Sequence, residues 1–166
     1  MTNAKIGMVK KAGRAASKSI GRSEDGEQIE LFRWVRICTT YGVKVADDPR
    51  TYSEKGFAAI HCGHPVPELD LLFSITNGGE RDIRVASLLK ATGVKAGVSD
   101  MFLPVPRHGR AGLWIELKRE DGGTESDKQK DWGKAMLANG FGYVMCHGWK
   151  EVREILIQYL SLDVDS

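Results

Sequence analysis

No apolar run in the sequence approaches the roughly twenty residues that cross a bilayer, and the N-terminus lacks the apolar core that a secretory signal carries after its positive region. A membrane class is excluded on these grounds and a cytoplasmic location is expected. Cysteine is scarce: Cys38, Cys62 and Cys146 are an odd number with no CxxC spacing. That excludes a disulfide framework, fits a reducing compartment and makes them packing residues. Acidic residues are missing from residues 1–22, which carry Lys5, Lys10, Lys11, Arg14, Lys18 and Arg22 among Ala, Gly and Ser. Such a stretch reads as a flexible basic tail, either solubilising or adding phosphate contacts. The net charge is only +2, so a polyanionic partner is not announced by the total.

What is present suits one soluble domain, over 23–162. The 166 residues are 42% hydrophobic and 28% charged, near the averages for globular proteins. Ser23 can cap a helix over about 24–38, with Glu27, Leu31, Trp34, Val35 and Cys38 on its inward face. Residues 39–67 mix Pro, Gly, Asp and His without periodicity and read as loop with a short helix. Leu69, Leu71, Phe73 and Ile75 alternate as in a strand, ended by Asn77, Gly78 and Gly79. A helix is expected over 80–92 with Gly93 at its C-terminus. Apolar runs over 98–105 and 113–117, joined by Pro106 to Gly112, read as a hairpin with a long loop. Ser126 with Gln129 forms a capping box opening a helix that Gly140 ends. A strand over 143–146 and an amphipathic helix over 150–160 follow. This order predicts an α/β fold, a small mixed central sheet flanked by helices.

The chemistry gathers on one strand. In Leu113-Trp114-Ile115-Glu116-Leu117-Lys118, alternation puts Leu113, Ile115 and Leu117 on one face and Trp114, Glu116 and Lys118 on the other. On an internal strand, charged groups are costly unless paired or metal-bound. If the hairpin turn centres near His108 and Gly109, opposed residue numbers sum to about 217, which sets Asp100 opposite Leu117 and beside Glu116 and Lys118. Two carboxylates so placed need a positive charge between them, and hard oxygen ligands suit Mg²⁺ or Mn²⁺, with the Leu117 carbonyl as a further ligand. Such an ion activates water for phosphodiester hydrolysis, and Lys118 would orient that water or offset charge on the phosphorus. The same spacing also suits an ordinary cross-face ion pair with Asp100 an unrelated turn acid.

Gly97-Val98-Ser99-Asp100, Ile115-Glu116-Leu117-Lys118, then Ser126, Gln129, Trp132, Leu137-Ala138-Asn139-Gly140 and Tyr143-Val144 together resemble the VRR-NUC family of the PD-(D/E)xK nuclease superfamily, in its compact, stand-alone bacteriophage or bacterial form. The likeness is strong over about 93–160 and weaker through Asn77-Gly78-Gly79-Glu80-Arg81 and the first helix. It implies a restriction-endonuclease-like core with Asp100 and Glu116 as metal ligands, Lys118 as the catalytic lysine and Gln129 as the helix glutamine near the site. It further implies a first-helix glutamate, for which Glu27 is the candidate and Glu30 the neighbour. Helix capping accounts equally for Gln129, and a favourable helix-dipole charge for Glu27. Ser99 departs from the family's usual proline before the metal aspartate.

The resemblance implies a metal-dependent DNA endonuclease in a bacterial cell or phage-infected host, acting as a homodimer on branched DNA such as four-way (Holliday) junctions. The rivals are a sequence-specific restriction-like endonuclease and a non-catalytic DNA-binding module. Asn77, Arg81, Arg84, Lys95, Arg107 and Arg110 are the candidate DNA contacts, gripping backbone rather than reading bases. His61, Cys62 and His64, with Cys38, fall short of a structural zinc set.

Overall fold

The computed structural model describes residues 23–52, 63–75 and 91–162. The tail over 1–22, His61, Cys62, Asn77, Arg81, Arg84 and most of the expected helix over 80–92 lie outside the described residues.

Helix α1 spans Glu24–Tyr41, and the five residues assigned to its inward face by spacing, Glu27, Leu31, Trp34, Val35 and Cys38, are its buried ones. Ser23 caps it, its hydroxyl accepting the Gly26 N–H at 3.1 Å. The helix runs past the last apolar residue because Thr39 satisfies its own hydroxyl on the Val35 carbonyl at 2.9 Å, and Gly42, with φ of +86°, then turns the chain out. Helix α2 follows over Val43–Asp47, then a 3₁₀ turn over Pro49–Tyr52.

The strand expected over 69–75 is mostly a 3₁₀ turn. Pro67–Leu71 is helical and only Phe73–Ser74 is strand β1. Pro67 near the helix start fixes φ for a turn, and Leu69 and Leu72, three apart, are buried while Leu71 and Phe73 are exposed. The apparent alternation joined a buried residue, Leu69, to exposed ones, Leu71 and Phe73.

Strands β2 (Met101–Leu103), β3 (Leu113–Lys118) and β4 (Gly142–His147) complete a four-stranded sheet in the order β1-β2-β3-β4. Neighbours are antiparallel up to β3, and β3 and β4 are parallel, joined by helix α3 (Asp127–Ala138). The sheet is therefore mixed, with β3 internal. Helix α4 (Trp149–Leu160) ends the described chain and packs with α1 on one face of the sheet. There Leu31, Trp34, Val152 and Leu156 meet Met101, Leu103, Ile115 and Leu117, all nearly inaccessible. Helix α3 lies on the other face, its Gly133 so close to Tyr143 that a Cβ would stand 2.6 Å from the ring.

The hairpin register departs from expectation by one residue. At the tip, Arg107 and Arg110 exchange hydrogen bonds of 3.1 and 2.8 Å around His108 and Gly109, whose φ values of +51° and +74° make a type I′ turn, and these numbers do sum to 217. In the strands the pairs are Met101–Ile115, Phe102–Trp114 and Leu103–Leu113, which sum to 216. One extra residue is absorbed between Leu103 and Arg107, where Pro104 and Pro106 cannot donate to a ladder. The correction has a chemical consequence. Extended by one step, the observed register sets Asp100 opposite Glu116, on the same face, whereas the expected one would have sent the two to opposite faces.

Candidate active site

Glu116 and Lys118 lie on the α3 side of β3, and both are buried, at 0% and 7% exposure. Lys118 Nζ donates to Glu116 Oε1 at 2.6 Å. Gln129, one turn into α3, donates its side-chain amide to the same oxygen while closing the capping box with Ser126. The other oxygen, Oε2 of Glu116, is buried without any hydrogen-bond partner. A buried carboxylate oxygen without a donor is costly.

Asp100 closes the site from the end of β2, its Oδ2 accepting the Leu117 N–H at 2.8 Å. Leu117 thus joins the site through its N–H. Burial raises the Asp100 pKa, opposed by the Leu117 hydrogen bond, the Lys118 charge and a hydrogen bond with the Glu116 carboxyl, and assisted by Glu24. Burial, reinforced by the charges of Asp100 and Glu125, pushes Glu116 up to about 7 against the pull of Lys118. Burial also works against the Lys118 charge, but Glu116, Glu24 and Asp100 outweigh it and raise its pKa. Two carboxyl groups whose burial opposes ionisation thus stand beside an ammonium held in its charged form.

Among the described residues no three His, Cys, Asp or Glu side chains form a ready-made metal cage. Asp100 and the bare Oε2 of Glu116 nonetheless fit a hard ion that keeps several waters, which is how Mg²⁺ is usually held.

The first-helix glutamates divide. Glu27 is buried, and its Oε2 accepts the Trp149 N–H at 2.9 Å, capping the start of α4 from across the core. Glu30 pairs with Arg33 at 3.3 Å. Glu24, one turn earlier and overlooked in the sequence because it precedes the apolar stripe, is the α1 acid whose charge acts on both Asp100 and Lys118. Its one signal was position, first in the helix beside the cap. We expect Glu27→Ala to lower stability by about 1–3 kcal/mol through a lost buried cap, and Glu24→Ala to leave the melting midpoint nearly unchanged while weakening divalent-metal binding. Thermal unfolding and Mn²⁺ titration of the two variants check this.

The basic candidates separate as well. Lys95 is exposed in the loop leading to Asp100, and Gly97 in that loop, with φ of +87°, lies against the Lys128 backbone, where a Cβ would come within 2.7 Å. Arg107 and Arg110 flank the hairpin tip, at the opposite end of β3 and roughly 20 Å of strand from Glu116. Arg107 is paired with Glu68 at 3.2 Å, and His108 is bound to the Tyr159 carbonyl at 3.0 Å. Cys38 lies in the core, its thiol pKa raised by burial.

A solved structure described as a VRR_NUC domain protein superposes on this chain with a TM-score of 0.59, over 86% of this chain and 92% of its own, at 22% identity. The fold is that of a VRR-NUC domain. No family model matches the sequence, nor does any curated protein. In this VRR-NUC fold the internal strand β3 carries the acid and lysine, the end of β2 supplies the aspartate, and the crossover helix α3 brings the glutamine.

No helix among the described residues is long and apolar enough to cross a membrane.

Proposed function

We propose that this chain is a Mg²⁺- or Mn²⁺-dependent deoxyribonuclease that cuts phosphodiester bonds internally. The observation that supports it best is the bare, buried Oε2 of Glu116 facing a site shared with Asp100 and Lys118, in a VRR-NUC fold. Asp100 and Glu116 would hold the ion, with the Leu117 carbonyl as third protein ligand. When bound, the ion supplies Lewis acidity toward the phosphodiester and acidifies a water. Lys118 keeps its proton under the influence of Glu116, Glu24 and Asp100, and its ammonium offsets charge growing on the phosphoryl oxygens. Gln129 holds the orientation of Glu116.

DNA is gripped through its backbone. Lys95 stands on the approach to Asp100, and Asn77, Arg81 and Arg84 are proposed as further phosphate contacts. The resemblance to compact, stand-alone bacteriophage and bacterial members supports action as a homodimer on branched DNA, since one site per subunit suits paired incisions on a symmetric junction.

The test is incubation with end-labelled duplex, flap, single-stranded and four-way-junction DNA in Mg²⁺, Mn²⁺ or EDTA. Cleavage that requires metal and is concentrated at junctions is expected. Absence of cleavage on every substrate, with DNA binding retained, sinks the enzyme reading in favour of a binding module.

A further inference from the structure

In a capping box the Gln at the third helical position turns back to the N-cap N–H, and its amide nitrogen has no set task. Here Gln129 Oε1 accepts from the Ser126 N–H at 2.8 Å and from the Ser126 hydroxyl at 3.0 Å, while its Nε2 donates to Glu116 Oε1. A backbone N–H can only donate, so the amide oxygen must face Ser126 and the amide nitrogen must face the carboxylate. The reversed amide would set its NH₂ against the Ser126 N–H and its oxygen against the carboxylate. Lys118 donates to the same Oε1 at 2.6 Å. With both donors on one oxygen, the carboxylate is turned so that Oε2 is the atom left bare.

The start of α3 is held at two further points, by the Tyr143 hydroxyl donating to Glu125 and by the Gly97 backbone seated against Lys128. The cap therefore has little freedom to drift away from β3.

We propose that Ser126 is a positioning residue, fixing through Gln129 which oxygen of Glu116 is left without a hydrogen-bond donor. Its consequence for metal rests on the nuclease reading, whereas the link from cap to carboxylate does not.

Ser126→Asp separates capping from positioning. Aspartate caps a helix as well as serine does, accepting the Gln129 N–H, but it has no hydroxyl proton to give and sets anionic oxygen beside Gln129 Oε1. Ser126→Thr keeps both functions. In metal-free protein, the Gln129 side-chain NH₂ resonances are expected to match wild type in Ser126→Thr and to shift in Ser126→Asp, where the backbone N–H still holds Oε1 but the hydroxyl donor is replaced by a repelling carboxylate, with unchanged melting midpoints. Mn²⁺ affinity by calorimetry should fall about tenfold in Ser126→Asp, as for other residues that orient a metal ligand. An added negative charge alone would strengthen cation binding, so the fall has the opposite sign to a charge effect. In a Gln129→Ala background, Ser126→Asp should bring no further fall. Unmoved Gln129 resonances, or an equal fall in the Gln129→Ala background, overturn the proposal. If the resonances move as expected but wild type takes up no Mn²⁺, the positioning link stands and the nuclease reading fails.

Discussion

Alanine at position 118 is expected to slow metal-dependent DNA cleavage by about two to three orders of magnitude, the usual effect of removing one group that stabilises transition-state charge. DNA affinity should change little, because Lys118, 7% exposed, can act only at the scissile phosphate while the backbone grip is spread over other residues. Truncating one partner of a buried ion pair ordinarily costs about 3–5 kcal/mol. Here the loss should be smaller, since Glu116, with a pKa near 7, can take up a proton instead of remaining a lone buried charge. Removing the ammonium also leaves Asp100, Glu116 and Glu24 without their internal cation. Mn²⁺ affinity should accordingly hold or tighten while turnover collapses. Single-turnover cleavage, filter binding and calorimetry on one preparation check all three. A variant that loses metal binding and stability together with cleavage would show Lys118 to be a scaffold residue.

The second large effect concerns stability and has an unusual direction. Glu116 moves from an ordinary 4.5 to about 7 on folding, a difference of about 3 kcal/mol. Below pH 4.5 both folded and unfolded chains hold this proton and nothing is lost. As pH rises toward 7 the unfolded chain ionises first, so metal-free protein is destabilised, and above the folded pKa the loss is complete. Asp100, raised in the same direction, adds to the slope. Glu116→Gln should therefore flatten the profile between about pH 5 and 7, making the metal-free protein more stable than wild type near neutrality while abolishing cleavage. Urea unfolding in EDTA across that range measures it. Parallel profiles for the two proteins would mean that the burial of Glu116 does not oppose its charge.

Much of this was legible before the structure. Helical spacing identified the whole buried face of α1, including Glu27, because a long amphipathic helix constrains many positions at once. The Ser126–Gln129 box was visible for the same reason that it works, a fixed spacing between two side chains and two N–H groups. Short elements were less readable. Leu69 and Leu71 alternate in sequence, yet Pro67 and the buried pair Leu69 and Leu72 turn the segment into a 3₁₀ helix, and four residues cannot distinguish these periods. The influence of Glu24 on Asp100 was missed because it arises from the packing of α1 and leaves no periodic trace. Glu27 went the other way. Its inward position was readable, but its partner, the Trp149 N–H, is 122 residues distant along the chain.

The surplus residue in the hairpin bears on how this protein can change over time. Arg107 and Arg110 close a regular turn, and Met101 and Ile115 pair in the core, with the mismatch absorbed among residues 104–106. Losing one residue there would bring tip and strands into one register and still leave Leu103 across from Leu113, with a proline that cannot donate remaining in the ladder. The placement of Asp100 is thus keyed to apolar core pairs, while the tip is anchored separately, by Arg107 to Glu68 and by His108 to the Tyr159 carbonyl.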